Sequence, residues 1–325
     1  MTHRFIDVER RNHGIATMCR ALRVSRSGFY AWQQRGLSER AASDIALAAR
    51  IAGIHAESDG TYGAPRVHAE LRAQGVRVSR RRVARLMAEQ GLEGVSRRKR
   101  RRATTTPSDR PSAPDLVERR FDAATGPDQV WFADITYVPT WEGWLYVALV
   151  VDAWSRRMVG WSMREGLEAE LVVDALGMAA TRRRPDPGAI HHSDRGSQYA
   201  STIFGRTLAE SGLVASMGRR GSALDNAAAE SAIASFKTEF VHRRSFRSRN
   251  AAREQIFRWI EGWYNARRRH SSLGYLSPAA YEELHVNANG PCGPADPDQP
   301  ALDEGALAGV GTPTDLSANL STEVR

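Results

Sequence analysis

The sequence predicts a mixed α/β domain in its second half, preceded by small all-α modules. Residues 1–96 carry apolar side chains at helical spacing, whereas residues 121–285 hold seven of the eight tryptophans and nearly all of the strand-like runs. Between them, residues 97–120 are basic and rich in Thr, Ser and Pro. They lack the apolar periodicity of a packed element, so we interpret them as a linker.

Residues 1–40 are typical of a small helix-turn-helix. Ile15 and Met18 recur at helical spacing, Ser25 is placed to cap a second helix, and Phe29 resumes the pattern. Residues 41–96 predict three more helices, the last capped by Ser79, with its basic side chains opposite its apolar stripe. Such a helix suits a DNA groove, although packed helices joined by turns are also a common way to build any helical domain.

The positive charge of the chain is concentrated. The whole sequence has 46 Lys and Arg against 37 Asp and Glu, and residues 79–102 alone hold ten basic and two acidic side chains. Clustered cations release counterions on meeting phosphates, so a polyanionic partner such as double-stranded DNA is expected; the alternative is a solvated linker. The predicted DNA contacts here are Arg80, Arg81, Arg82, Arg97, Arg98, Lys99 and Arg100.

Residues 121–285 predict three consecutive strands, then two alternations of helix and strand, then two closing helices. Three antiparallel strands followed by alternating helix and strand is the order of a ribonuclease-H-like fold. Residues 286–325 have six acids, one base and no aromatic residue, so we expect an acidic, disordered tail.

The composition excludes several classes of protein. Two distant cysteines, Cys19 and Cys292, exclude a disulfide framework and a cysteine-based zinc module. The amino terminus is charged where a signal peptide needs an apolar core, and the longest apolar run, residues 144–151, is too short to span a bilayer. We therefore expect a cytoplasmic, nucleoid-associated protein that does not contact membranes.

Three acids are candidates for phosphodiester chemistry. Asp134 lies within an apolar strand, where an unpaired charge is costly, and Asp194 closes a later strand, with Gly196 allowing a sharp turn. Glu230 lies in an alanine-rich helix that Asp225 or Asn226 can cap. Hard cations such as Mg²⁺ prefer carboxylate oxygens. Between Asp194 and Glu230 there are 35 residues, and Lys237 follows two helical turns later on the same face.

These residues resemble the DDE signature of retroviral-integrase-like transposases, and the surrounding blocks resemble the second-frame product of the IS-three type of insertion sequence. The blocks are WFADITYVPTWEGWLYVALVVDAWSRRMVGW, HHSDRGSQYAS, LDNAAAESAIASFKTEF and YNARRRHSSLGYLSPAAYEE, in the family's order. The upstream helical module is similar as well, so the resemblance covers about residues 14–284. Together the blocks are highly specific.

The resemblance implies a DNA strand-transfer enzyme. Two Mg²⁺ or Mn²⁺ ions held by Asp134, Asp194 and Glu230 would flank the scissile phosphate, and Lys237 would grip DNA near the element end. It also implies a homo-oligomer on DNA and, as a partner or a fusion, an upstream-frame protein with a helix-turn-helix and a leucine zipper. Two alternatives stay open: a metal-dependent nuclease of the same fold without strand transfer, and a non-catalytic DNA-binding regulator.

Other polar residues near these positions have plainer explanations. Asp152 is a rival carboxylate, but its place after a strand favours a turn cap, with support of the active site as the alternative. His191 and His192 point to opposite faces of one strand, so they cannot easily share a metal. His270 either contacts DNA or ties down the last helix.

Overall fold

The chain begins with three short helices. The structure, a computed structural model, describes residues 2–35, 38–95, 113–117, 124–218 and 227–288. The first helices are α1 (Thr2–Glu9), α2 (Ile15–Ala21) and α3 (Arg26–Gln34). As predicted, Ser25 caps α3 by accepting a 2.9 Å hydrogen bond from the Gly28 N–H. Helix α1 was not predicted, because its eight residues bury only Ile6 and so show no apolar periodicity.

Three longer helices follow: α4 (Glu39–Glu57), α5 (Ala64–Ala73) and α6 (Arg80–Glu89). Ser38 and Ser79 cap α4 and α6 through their side chains, which confirms the predicted cap at Ser79. One apolar cluster unites the three helices, with Ile51, Val67 and Val83 completely buried. The three-helix arrangement predicted for this region is therefore present.

The α/β region is built on one five-stranded sheet. Its strands are β1 (Val130–Thr140), β2 (Gly143–Asp152), β3 (Met158–Arg164), β4 (Ile190–Ser193) and β5 (Val214–Met217), in the spatial order β3-β2-β1-β4-β5. The first three pair antiparallel, β4 pairs parallel with β1, and β5 pairs parallel with β4. The predicted strand order is confirmed, and β1, which carries Asp134, lies at the centre of the sheet.

Helices cover both faces of the sheet. Helices α7 (Ala169–Arg183) and α8 (Thr202–Glu210) pack in the cluster that includes Trp131 and Val150. Helices α9 (Ala227–Glu239) and α10 (Arg249–Arg258) pack in the opposite cluster, which includes Val138 and Leu149. Because successive strand residues point to opposite faces, β1 contributes alternately to the two clusters.

The last predicted helix differs from expectation. After Arg258 the backbone widens into a π-helical turn over Trp259–Asn265, and α11 (Pro278–Ala288) follows. Asn265 bonds both backbone groups of Met158 on β3, accepting from its N–H and donating to its carbonyl, each at 2.9 Å. This pair of bonds fixes the wide turn against the sheet.

The helical region α4–α6 also contacts the α/β region directly. Tyr62 packs on Trp263 with ring centroids 5.5 Å apart, and its hydroxyl accepts a 2.8 Å hydrogen bond from the Arg269 N–H. Arg66 pairs with Glu239 at 3.1 Å, and Arg269 pairs with Glu70. The described residues up to Leu284 belong to one compact unit. Across the described ranges, no helix combines the length and the apolar character needed to cross a membrane.

Candidate active site

The register of the sheet places Asp134 and Asp194 side by side. In the parallel pair β1/β4, Phe132 is the partner of His192. Two residues further along each chain come Asp134 and Asp194, so both acids lie at the same level where β4 ends. Neighbouring strands are about 4.8 Å apart, which brings the two carboxylates into electrostatic contact.

Asp134 occupies the most unfavourable position for a charge. Burial, and after it the charges of Asp194 and Glu230, raise the pKa of its carboxyl to about 7, against the stabilising hydrogen bond from the Ile135 N–H. That N–H donates to Oδ1 at 2.7 Å and fixes the orientation of the carboxyl. A carboxyl opposed by two like charges is relieved by a cation or by a proton.

Asp194 is exposed and starts a tight turn. Its Oδ1 accepts a 2.9 Å hydrogen bond from the Gly196 N–H. This tight turn agrees with the sharp turn expected at Gly196, whose φ is not positive. A Cβ at Gly196 would lie 3.0 Å from Asp194 Oδ1, so a larger residue would crowd the carboxylate.

Helix α9 carries Glu230 and Lys237. Glu230 lies in the first turn of the helix, and most of its side chain is exposed. The part of the carboxyl that is shielded from water is enough to raise its pKa. The Lys237 ammonium donates to the Tyr137 carbonyl and lies 4.2 Å from the centre of the Tyr137 ring. Lys237 therefore reaches β1 three residues beyond Asp134, beside the edge that β4 leaves open.

The charges of Asp194 and Glu230 affect Asp134, but in the described structure the three carboxyl groups are not gathered into one set of metal ligands. Within the described ranges, no three His, Cys, Asp or Glu side chains form a group able to hold a metal ion. The structure shows two acids at adjacent strand positions and a third whose charge reaches Asp134. Their oxygen donors and mutual repulsion nevertheless fit a hard divalent cation.

The other predicted site residues divide into two groups. Arg80 and Arg81 are exposed at the start of α6, whereas the Arg82 guanidinium donates to Asp44 at 2.7 Å and to the Ser43 hydroxyl at 2.9 Å. Arg82 is therefore held by α4. Outside the described residues lie Arg97, Arg98, Lys99, Arg100 and Asn226.

Asp152 caps the turn after β2, as its sequence context favoured. The side chain is completely buried and accepts from the Ser155 N–H and hydroxyl, both at 2.7 Å, and from the Asp128 N–H at 2.9 Å. Burial raises the pKa of its carboxyl to about 6. These bonds fully explain an acid at this position.

The histidines are structural. His191 and His192 are buried on opposite faces: His191 packs edge-on against Phe204, and His192 bonds the Ser216 hydroxyl at 2.8 Å. Burial lowers the pKa of His191 to about 4. His270 is buried beside Arg268 and Tyr264, so it ties down the segment before α11.

Sequence reasoning overlooked Tyr199. Its side chain is buried, and its hydroxyl makes no hydrogen bond to any described residue. Burial raises the pKa of this phenol, and the charges of Asp134 and Asp194 raise it further, so the hydroxyl lies near both acids. The available signal was its position, one helical turn after Gly196 in the segment that begins with Asp194.

The raised pKa of Asp134 predicts a pH-dependent stability. The folded state keeps this proton up to about pH 7, whereas an unfolded aspartate loses it near pH 4, so ionising Asp134 costs stability as pH rises between these values. Asp134→Asn should raise the free energy of unfolding by about 4 kcal/mol at pH 8 and leave it nearly unchanged at pH 4. Urea titrations in a metal chelator measure both values; a destabilised variant at pH 8 would contradict the prediction.

Comparison with known proteins places this geometry in a family. Family models described as "Integrase core domain" match residues 124–223 and 211–278, and one described as "HTH-like domain" matches residues 42–100. These matches confirm the predicted fold class, an integrase-type α/β core preceded by a helical module.

Individual relatives match over most of the chain. The 31 kDa protein of insertion element IS600 from Shigella sonnei is 43% identical, over 82% of this chain and 98% of the relative. Transposase InsF of insertion sequence IS3A from Escherichia coli (strain K12) is 41% identical, over 88% of this chain and all of the relative. The solved catalytic core domain of BIV integrase aligns with 50% of this chain and 98% of that chain, at 14% identity and a TM-score of 0.37.

Proposed function

Since this chain belongs to the IS3 family of insertion-sequence transposases, we propose that Asp134, Asp194 and Glu230 are the carboxylates with which it cleaves and joins DNA strands. The observation that carries this assignment is the register of β1 and β4, which sets Asp134 beside Asp194 at the end of a strand. The charge of Glu230 acts on Asp134, which supports its place in the same set.

The same three side chains would hold the metal. Carboxylate oxygens are the donors that Mg²⁺ and Mn²⁺ prefer. When bound, two such ions supply activation of the attacking water or 3′-hydroxyl and stabilisation of the leaving oxygen. A bound cation would favour the ionised form of Asp134, and so oppose the burial and the like charges that raise the pKa of its carboxyl.

The remaining residues orient the acids and the DNA. The Ile135 and Gly196 N–H groups hold Asp134 and Asp194 in place before substrate binds, which reduces reorganisation during the reaction. Lys237 lies at the open edge of β1, where its ammonium can exchange the Tyr137 carbonyl for a backbone phosphate. Asp152 supports the sheet through its turn and does not contact the substrate.

DNA binding is assigned to the helical region as well. The family described as HTH-like supports it, and the exposed Arg80 and Arg81 are the α6 cations available for phosphate contacts. Arg82 can reach a phosphate only by releasing Asp44. The sequence adds four more cations at 97–100, outside the described residues. Assembly as a homo-oligomer on DNA, and action with an upstream-frame protein, are part of the same proposal.

The test is a strand-cleavage and strand-joining assay with the full chain. The protein is incubated with supercoiled DNA that carries the ends of its own element, with Mg²⁺ or with a chelator. We expect a nick that exposes a 3′-hydroxyl at the element end, followed by joined strands, only when Mg²⁺ is present. Cleavage without any joined product would support a nuclease instead, and no cleavage by the chain, alone or fused to its upstream frame, would refute the proposal.

A further inference from the structure

The turn between β1 and β2 presents an unusual group of aromatic rings to solvent. Tyr137, Trp141 and Trp144 are 52%, 72% and 50% exposed, although they fall within eight residues. Tyr137 and Trp144 contact each other edge to face, with ring centroids 4.9 Å apart. We call these three side chains the hairpin aromatics. Exposed tryptophan is unfavourable in water, so a cluster of such rings indicates a binding surface.

The backbone beneath the hairpin aromatics is firmly held. The Trp141 N–H donates to the Phe246 carbonyl at 3.0 Å, and Glu142 accepts from the Arg249 N–H at 2.9 Å. The Arg249 guanidinium also donates to the Trp144 carbonyl at 3.2 Å. Gly143 has a φ of +109°, a value that favours glycine and closes the tight turn. The rings are therefore presented on a rigid support, which limits the entropy lost when they bind a partner.

Cations accompany the rings. The Arg247 guanidinium carbon lies 5.5 Å from the centre of the Trp141 ring, and the Lys237 ammonium lies 4.2 Å from that of Tyr137. Among the residues that the structure describes, no carboxylate pairs with Arg247. Exposed rings interleaved with cations favour a polyanion with flat, stackable groups over an apolar protein surface.

The position of the hairpin relates it to the proposed catalytic acids. Strand β4 ends at Ser193, so on this edge β1 has no described strand partner beyond Asp134 until Thr140, which bridges Phe246. Tyr137 is three residues beyond Asp134, about 10 Å along the strand, so its ring lies on the opposite face of the sheet from the Asp134 carboxyl. Lys237 spans this interval from α9. A DNA strand leaving the acids along this edge would meet Lys237 first and the rings next.

We propose that the hairpin aromatics bind unpaired nucleotides of DNA by stacking on their bases, while Lys237 and Arg247 contact the adjoining phosphates. This inference rests on the proposed function, because the bound nucleotides would belong to the DNA strand that is separated from its complement near the cleavage site. Stacking is tolerant of base identity, so the hairpin would hold the strand without reading its sequence.

The test compares single-stranded and double-stranded DNA binding by the full chain in a chelator, which stops catalysis. Binding of fluorescent oligothymidylate and of a blunt duplex of equal length is measured by anisotropy for Trp141→Ala, Trp144→Ala and Trp141→Phe. We expect each alanine variant to bind oligothymidylate about tenfold more weakly, with duplex affinity nearly unchanged. Trp141→Phe should recover most of the loss, because it keeps an aromatic face.

Phe257→Ala is the matched control, since this ring is 49% exposed on the same α/β region but lies at the far end of α10. It should leave both affinities unchanged, and thermal unfolding should show that all variants fold. Equal loss on both DNAs would make the hairpin a duplex contact and overturn the proposal. Unchanged DNA binding together with a lower oligomeric state would also overturn it, in favour of a contact between copies. Because no catalysis is involved, these results are independent of whether the three acids cleave DNA.

Discussion

Asp194→Asn is expected to abolish strand cleavage and joining, lowering the rate by about a thousandfold or more. An amide cannot neutralise a divalent ion, and the loss of metal-based stabilisation is worth several kcal/mol of barrier. Glu230→Gln should have a comparable effect. The rates are measured on DNA carrying the element ends, with DNA affinity determined separately, because removal of one negative charge should preserve or slightly strengthen DNA binding.

The matched control is Asp174→Asn, the same chemical change at an exposed residue of α7 that pairs with Arg164 at 2.7 Å. It should retain full activity. Cleavage at the normal rate by Asp194→Asn would remove this acid from the catalytic set. If DNA affinity fell in parallel with the rate, the loss would reflect substrate binding rather than chemistry.

The largest stability effect is expected at Arg268. Its guanidinium is 2% exposed and donates two hydrogen bonds of 2.6 Å to the two oxygens of Glu239, which is 6% exposed. Arg268→Ala leaves this carboxylate buried with only Arg66 beside it. Removing one partner of a buried pair costs about 3–5 kcal/mol of unfolding free energy. Urea titration at neutral pH measures this loss, and Arg268→Lys should recover only part of it, because an ammonium cannot make both bonds.

The loss should depend on pH. Burial alone raises the pKa of Glu239, but the hydrogen bonds and charge of Arg268 outweigh burial and leave it below the usual value. The pair therefore stabilises the fold above the unfolded pKa of about 4.3, and this contribution is lost as pH falls through the lower folded value. As a control, Arg164→Ala removes an exposed pair and should cost far less than Arg268→Ala. An equally small effect at Arg268 would contradict this account.

Much of the fold could be predicted because it depends on local patterns. The five strands have continuous or alternating apolar runs, and Ser25 and Ser79 are cap residues that predict the start of the helices after them. Helix α1 was missed because one buried side chain, Ile6, gives no periodicity. The π-helical turn after Arg258 could not be foreseen either, since it depends on Asn265 meeting Met158 on a distant strand.

The candidate site was predictable to the extent that strand register follows from strand order. Asp134 and Asp194 end up adjacent because both continue strands that pair in parallel. The engagement of Arg82 by Asp44 was not predictable, because a helix-surface arginine looks the same in sequence whether it faces solvent or an acid on another helix. Tyr199 was passed over for a similar reason: only the folded structure shows that its hydroxyl lies near two carboxylates.

The contacts between α4–α6 and the α/β region also constrain how the gene for this protein can recombine with the genes of its relatives. Arg66 and Glu70 of α5 meet Glu239 and Arg269, which lie far away in sequence, and Glu239 ends the helix that carries Glu230. A recombinant gene that joined the helical region of one relative to the α/β region of another would bring together partners never matched for charge. The two halves are therefore expected to be inherited as a pair.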